Sequence, residues 1–344
     1  MATVTISKGK LARMDRLANK AGVISAAAMD QRGSLQKSIA KEKGTDVKQV
    51  TDGMMQEFKT AVSRVLTPHA SAILLDPEWG LPAAKARAKN AGLLLSYEKS
   101  GYDNTRPGRL PDLLDGVSAR DISDMGADAV KILIYYTPED EKPVNDIKHA
   151  FIRRIGAECE YNEIPFFLEF VGYDPKGGDE KGLDYAKRKP QIVVKSMEEF
   201  SKPEYNVDVL KVEVPINMKF VKGAKSNKTG ESAYDRGQAK EIFQKSYKAA
   251  KRPFIYLSAG VSDDEFRETL ELAAEAWVPF NGVLCGRATW KDGVPVYAKK
   301  GLKAFEDWLS DRGVKNIEAL NGVLQKAAHP WHEMYGGRDK IKTA

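Results

Sequence analysis

VLKVEVP, residues 209–215, reads as a β-strand whose two faces differ in character. Successive side chains on a strand point to opposite sides, so Leu210, Val212 and Val214 share one face while Val209, Lys211 and Glu213 share the other. Strands of a parallel sheet covered by helices are ordinarily apolar throughout, and charges within one require an enclosed interior that can use them. Seven more short apolar runs, each closed by Gly, Pro or a polar cluster, lie outward from this one: GVISAAAMD (22–30), AILLD (72–76), GLLLSYE (92–98), AVKILIYY (129–136), IPFFLEF (164–170), PFIYLSAG (253–260) and FNGVLCG (280–286). Helical patterns separate them. Val47, Val50, Met54, Phe58, Val62 and Leu66 recur at spacings of three and four after the first run, with Thr45 as the expected N-cap. Ile147, Phe151 and Ile155 do so before the fifth run, and Phe266, Leu270 and Ala273 or Ala274 before the eighth. Eight strands alternating with helices predict an α/β fold of the (β/α)₈ TIM-barrel type, with an open doubly wound sheet as the alternative. The expected layout is one domain over residues 1–344, with a helical arm (1–20), a barrel (about 22–290) and C-terminal helices and tail (about 296–344). Residues 176–189 and 219–231 read as long loops after the fifth and sixth strands, at the end where a barrel carries its site.

Composition narrows the function. A chain of 344 residues, 42% hydrophobic and 30% charged, has the make-up of a globular protein with a sizeable core. The net charge of +6 is spread evenly, which gives no reason to expect nucleic acid and suits a small anion equally well. Cys159 and Cys285 stand alone, so neither a disulfide framework nor a thiolate metal site is expected, and the expected compartment is reducing. No apolar run has the length of a membrane span or a signal peptide, and a cytoplasmic protein without membrane contact is expected. His329 and His332 lack further ligands at metal-site spacing, and His69 and His149 are isolated, so no metal is expected. Lys187, Arg188 and Lys189 read as a solvated basic loop.

The barrel phase turns Lys211 and Glu213 inward, and Lys131 and Glu169 take the same phase in their own strands, while Asp30 closes the first. Paired buried charges are often only structural. Two lysines converging with carboxylates also suit covalent chemistry, because desolvation and a neighbouring cation favour a neutral amine, at Lys211 or Lys131, able to attack a carbonyl. The last two strands end in SAG and CGRA. Loops after the seventh and eighth strands of barrels commonly bind phosphate, and Ser258, Gly260, Gly286 and Arg287 suit that task. Gln31 and Arg32 follow Asp30 and are candidates for sugar hydroxyls.

AMDQRGSL, AVKILIYY, IPFFLEF, VLKVEVP, YLSAGVS and FNGVLCGRATW together resemble, in order, the class I tagatose-1,6-bisphosphate aldolases, from about residue 22 to residue 326. The resemblance implies a metal- and cofactor-independent barrel enzyme that cleaves D-tagatose 1,6-bisphosphate to dihydroxyacetone phosphate and D-glyceraldehyde 3-phosphate. It implies Lys211 as the Schiff-base lysine, Glu169 as the acid/base, Lys131 as an auxiliary lysine and Asp30 as an assistant at the cleaved bond. Ser258, Gly260, Gly286 and Arg287 fall where the family holds the one-phosphate, and a homodimer or higher homo-oligomer is the family expectation. Residues 1–20, residues 219–231 and the tail from His329 lie outside the likeness. Those departures leave open a related substrate, fructose 1,6-bisphosphate or a sulfofructose 1-phosphate. A sensor of phosphosugars that keeps the site, and a barrel isomerase with a carboxylate base, are the other readings.

Overall fold

The computed structural model describes residues 4–344. Eight parallel strands close on themselves in sequence order: β1 (Ile24–Ala28), β2 (Ala72–Leu75), β3 (Gly92–Ser96), β4 (Ala129–Tyr135), β5 (Phe166–Val171), β6 (Val209–Glu213), β7 (Phe254–Leu257) and β8 (Gly282–Cys285), with β8 pairing β1. Every strand expected from the sequence is present, most of them trimmed and β5 running one residue further to Val171, and the closed TIM barrel replaces the open sheet.

Alternation along these strands separates two cores. Ile24, Leu74, Leu94, Ala129, Phe167, Val209, Ile255 and Leu284 meet inside the barrel. Val130, Ile132, Leu168, Leu210, Val212 and Tyr256 face the surrounding helices. Each fully buried aliphatic or aromatic side chain contributes about 1.5–3 kcal/mol, so a one-residue slip in any strand would expose several such contributions and is strongly disfavoured. That phase turns Lys131, Glu169, Lys211 and Glu213 inward.

The termini close the barrel at the start of its strands. Helix Lys8–Leu17, capped by Ser7, packs Met14 and Leu17 onto the inner core beside Trp331 and Tyr335. Lys10 pairs with Asp208 at 2.8 Å, and Val4–Ile6 lies parallel to Ile341–Thr343. HPWHE therefore belongs to a packed plug, where His329 pairs with Glu333 at 2.8 Å.

Several local expectations are corrected. The helix after β1 starts at Asp52, with Thr51 rather than Thr45 as its cap, because Val50 is extended and breaks the pattern; a separate helix, Gly33–Lys43, precedes it. In helix Lys142–Tyr161 the inner stripe runs through Lys148, Ile152, Ile155 and Cys159, and Ile147 faces out. The segment expected as a loop to residue 189 turns helical at Leu183. Arg188 there, half-buried, pairs with Asp174 at 3.0 Å and the nearly buried Lys189 with the inward Glu213 at 3.2 Å, so of this basic cluster Lys187 is exposed as expected and Lys189 is not solvated.

Candidate active site

A cavity of about 830 Å³ opens at the C-terminal ends of the strands. The residues singled out from the sequence line it: Asp30, Gln31, Arg32, Lys131, Glu169, Lys211, Glu213, Ser258, Gly260, Gly286 and Arg287.

Its floor is a charge network. Glu169 on β5 is the direct register partner of Lys211 on β6, which places two inward side chains side by side. Lys211 Nζ donates to Glu169 Oε2 at 2.7 Å. Lys131, fully buried on β4, reaches Asp30 Oδ2 and Glu98 Oε1 at 2.8 Å each and Glu169 Oε2 at 2.9 Å. An ammonium has three N–H donors, and these three carboxylates match them in number.

This decides between the two lysines. Burial works against charge on Lys131, but Asp30, Glu169 and Glu98 outweigh it and hold its ammonium well above the ordinary lysine value. Of the two lysines, Lys131 is thus the less suited to supply a free amine. Lys211 has a single carboxylate partner and borders the cavity.

The carboxylates respond to the same field. Burial alone would raise Asp30, yet Lys131 and Lys211 hold its carboxyl well below the usual range. Burial raises Glu98 against the pull of Lys131 and Arg32. A carboxylate depressed by folding stabilises the fold above its unfolded pKa, and that stability is lost as pH falls through the folded value. The urea midpoint of the protein is thus expected to exceed that of Asp30→Asn at pH 7, with the gap shrinking below about pH 4. A gap that stays constant down to pH 3 would contradict the assignment.

Glu98 was missed in the sequence. It ends the run 92–98, where Leu94 already faces the interior, so the same two-residue alternation that points Lys211 inward points Ser96 and Glu98 inward. Its Oε2 is buried without a partner, as is Oε1 of Gln31, whose amide nitrogen donates to Asp30 at 3.2 Å. Arg32, which also lines the cavity, donates to the Glu98 carbonyl at 2.7 Å.

The opposite wall is built from the ends of β7 and β8. Ser258 is buried and Arg287 exposed at the mouth. Gly260 has φ +77°, and a Cβ there would stand 2.8 Å from the Arg287 guanidinium carbon. At Gly286 a Cβ would meet the Ala28 carbonyl at 2.8 Å. Lys291 locks this loop by donating to the carbonyls of Gly260 and Val261 at 3.0 Å each, a role the sequence did not signal. Small residues, a buried hydroxyl and a guanidinium on one wall suit an anion in chemistry.

Fold and site define a TIM barrel with a lysine-centred pocket at the C-terminal mouth. The family model for DeoC/LacD family aldolases matches residues 24–292, and the chain belongs to that family. It is 53% identical over 329 residues to tagatose 1,6-diphosphate aldolase 2 of Enterococcus faecalis, covering 96% of this chain and 97% of that protein. It is 50% identical over 338 residues to tagatose 1,6-diphosphate aldolase of Listeria monocytogenes, covering 98% of each. Among solved structures it resembles the fructose-bisphosphate aldolase of Plasmodium falciparum at a TM-score of 0.67 and 13% identity, covering 94% of this chain and 98% of that one. A Schiff-base-forming fructose-1,6-bisphosphate aldolase gives 0.53 and 13%, covering 87% and 97%. At that identity the structural likeness speaks for the fold alone.

Proposed function

We propose that this chain is a class I aldolase that cleaves D-tagatose 1,6-bisphosphate to dihydroxyacetone phosphate and D-glyceraldehyde 3-phosphate through an imine on Lys211. The observation that carries this reading is the asymmetry of the two buried lysines: Lys131 is surrounded by three carboxylates, and Lys211 has one partner placed to take its proton. The names of the relatives, at about half identity over nearly the whole chain, support the substrate.

The chemistry follows from the contacts. The Lys211 ammonium passes a proton to Glu169, 2.7 Å away, and the amine so freed attacks the ketone at carbon two. Glu169 delivers that proton to the carbinolamine oxygen, then carries a second from the carbinolamine nitrogen to the same oxygen; water leaves, and a protonated imine remains. Asp30 takes the proton of the carbon-four hydroxyl in the step that breaks the bond between carbons three and four. The bonding pair flows to the iminium nitrogen as an enamine, and the aldehyde departs. Glu169 is left to serve the imine nitrogen beside Lys211, and Asp30 Oδ1, held only by the 3.2 Å bond from the Gln31 amide, takes this proton. Protonation of carbon three and hydrolysis then release dihydroxyacetone phosphate and restore Lys211. Ser258, Gly260, Gly286 and Arg287 hold the one-phosphate, and Gln31 accepts from a sugar hydroxyl. A homodimer, a cytoplasmic location and a single-domain chain over residues 1–344 belong to the same reading and rest on the family resemblance and the sequence.

Among the described residues no three of His, Cys, Asp and Glu are grouped to hold a metal ion. The carboxylates that converge are turned onto Lys131. Cleavage of D-tagatose 1,6-bisphosphate, followed by the appearance of dihydroxyacetone phosphate, is expected to be unchanged after exhaustive treatment with a chelator. Activity lost on chelation and restored by zinc would overturn the mechanism, and absence of cleavage in both arms would overturn the substrate.

A further inference from the structure

Lys59 lies on helix Asp52–Leu66, outside the barrel, and is completely buried. Its Nζ donates to the carbonyl oxygens of Met29 and Gln31 at 2.8 Å each, and to Asp76 Oδ2 at 2.5 Å. Two of those acceptors are the peptide oxygens on either side of Asp30. Asp76 follows β2 and is itself anchored, since its other carboxylate oxygen accepts from the backbone N–H of Trp79 at 2.8 Å. One carbonyl further back, Ala28 accepts from the Trp290 indole at 2.9 Å. The turn that carries Asp30 is thus tied from outside by a single ammonium with every donor committed.

We propose that Lys59, backed by Asp76, is a positioning residue for Asp30: its ammonium fixes the flanking peptides so that the Asp30 carboxylate stands at the cleaved bond. A buried lysine is costly, because its charge is removed from water. A structural ion pair could stand elsewhere in the helix layer. This one spends two of its three hydrogen bonds on main-chain oxygens around one catalytic candidate. Burial also pulls the Lys59 ammonium below the ordinary lysine value despite Asp76. The inference rests on the role given to Asp30 above.

The expected consequence is a split between two steps of one reaction. Imine formation depends on Lys211 and Glu169, which Lys59 does not touch; bond cleavage depends on Asp30. In Lys59→Met, borohydride trapping of dihydroxyacetone phosphate on Lys211 is expected to stay within about threefold of the parent, while kcat for cleavage falls about 10–100-fold. Because Lys59→Met leaves Asp76 buried and unpaired, the double variant Lys59→Met/Asp76→Asn removes both charges and is measured beside it, with thermal unfolding to confirm the fold. Asp30→Asn and Asp30→Asn/Lys59→Met complete a cycle: if Lys59 acts through Asp30, the second substitution slows Asp30→Asn by less than about twofold. Fully additive losses, or equal falls in trapping and cleavage, would overturn the proposal and leave the aldolase reading intact. Full-rate cleavage by Asp30→Asn would instead remove the role of Asp30 itself, and failure of the unsubstituted protein to trap dihydroxyacetone phosphate would remove the Schiff base.

Discussion

Replacing Lys211 with methionine is expected to leave a folded barrel whose cleavage rate is lower by about 10⁴-fold or more, the scale seen when a covalent nucleophile is removed. The fold should survive for a local reason. Methionine fills the volume of the lysine stem, and Glu169, which loses one partner, keeps Lys131 at 2.9 Å. No buried carboxylate is orphaned. The chemistry has no such reserve: Lys131 is surrounded by three carboxylates that favour its charged form over the free amine. Circular dichroism and urea unfolding near the parent values, with kcat/KM collapsed, would match this expectation. Retention of more than a tenth of the activity would contradict it.

Lys131→Met should do the reverse and act first on stability. The substitution leaves Asp30, Glu98 and Glu169 facing one another in a buried site, and stripping one partner from a buried charge cluster costs about 3–5 kcal/mol. That is a large share of the roughly 5–15 kcal/mol that holds a typical domain together. The loss should be partly recovered by adding Glu98→Gln. Burial already raises the Glu98 carboxyl, which makes it the carboxylate least costly to neutralise. Urea midpoints for the single and double variants at pH 7 check both statements. A Lys131→Met midpoint equal to that of the parent would mean that the network contributes little.

The eight strands and the direction of their side chains were legible in the sequence because parallel barrel strands are short, apolar and bounded by Gly and Pro, and because period-two alternation makes each intruding charge point one way. VLKVEVP thereby located Lys211 and Glu213, and AVKILIYY located Lys131. Glu98 obeyed the same rule and was overlooked at the end of GLLLSYE, where a terminal charge looks like the start of a loop. Lys59 stands among Met55, Phe58, Val62 and Leu66 on a helix face whose other buried polar residue is Ser63, and a lysine on a buried helix face is itself a signal. Its partners, Met29, Gln31 and Asp76, are set by how that helix packs on β1 and β2, which periodicity does not encode. The plug of Leu17 and Trp331, more than three hundred residues apart, escaped for the same reason. Arg188 and Lys189 were misjudged because a Lys-rich run with Pro190 resembles a loop, whereas the helix admits Pro190 and delivers Lys189 to Glu213.

The central claim is that the amine of Lys211 captures a keto sugar phosphate. Treating the protein with borohydride in the presence and absence of dihydroxyacetone phosphate, digesting it and weighing the peptides tests this directly. Only the peptide carrying Lys211 should gain the mass of the ketose phosphate less one water plus two hydrogens, in step with irreversible loss of cleavage. The same mass on a Lys131 peptide, or inactivation with no adduct at residue 211, would contradict the account.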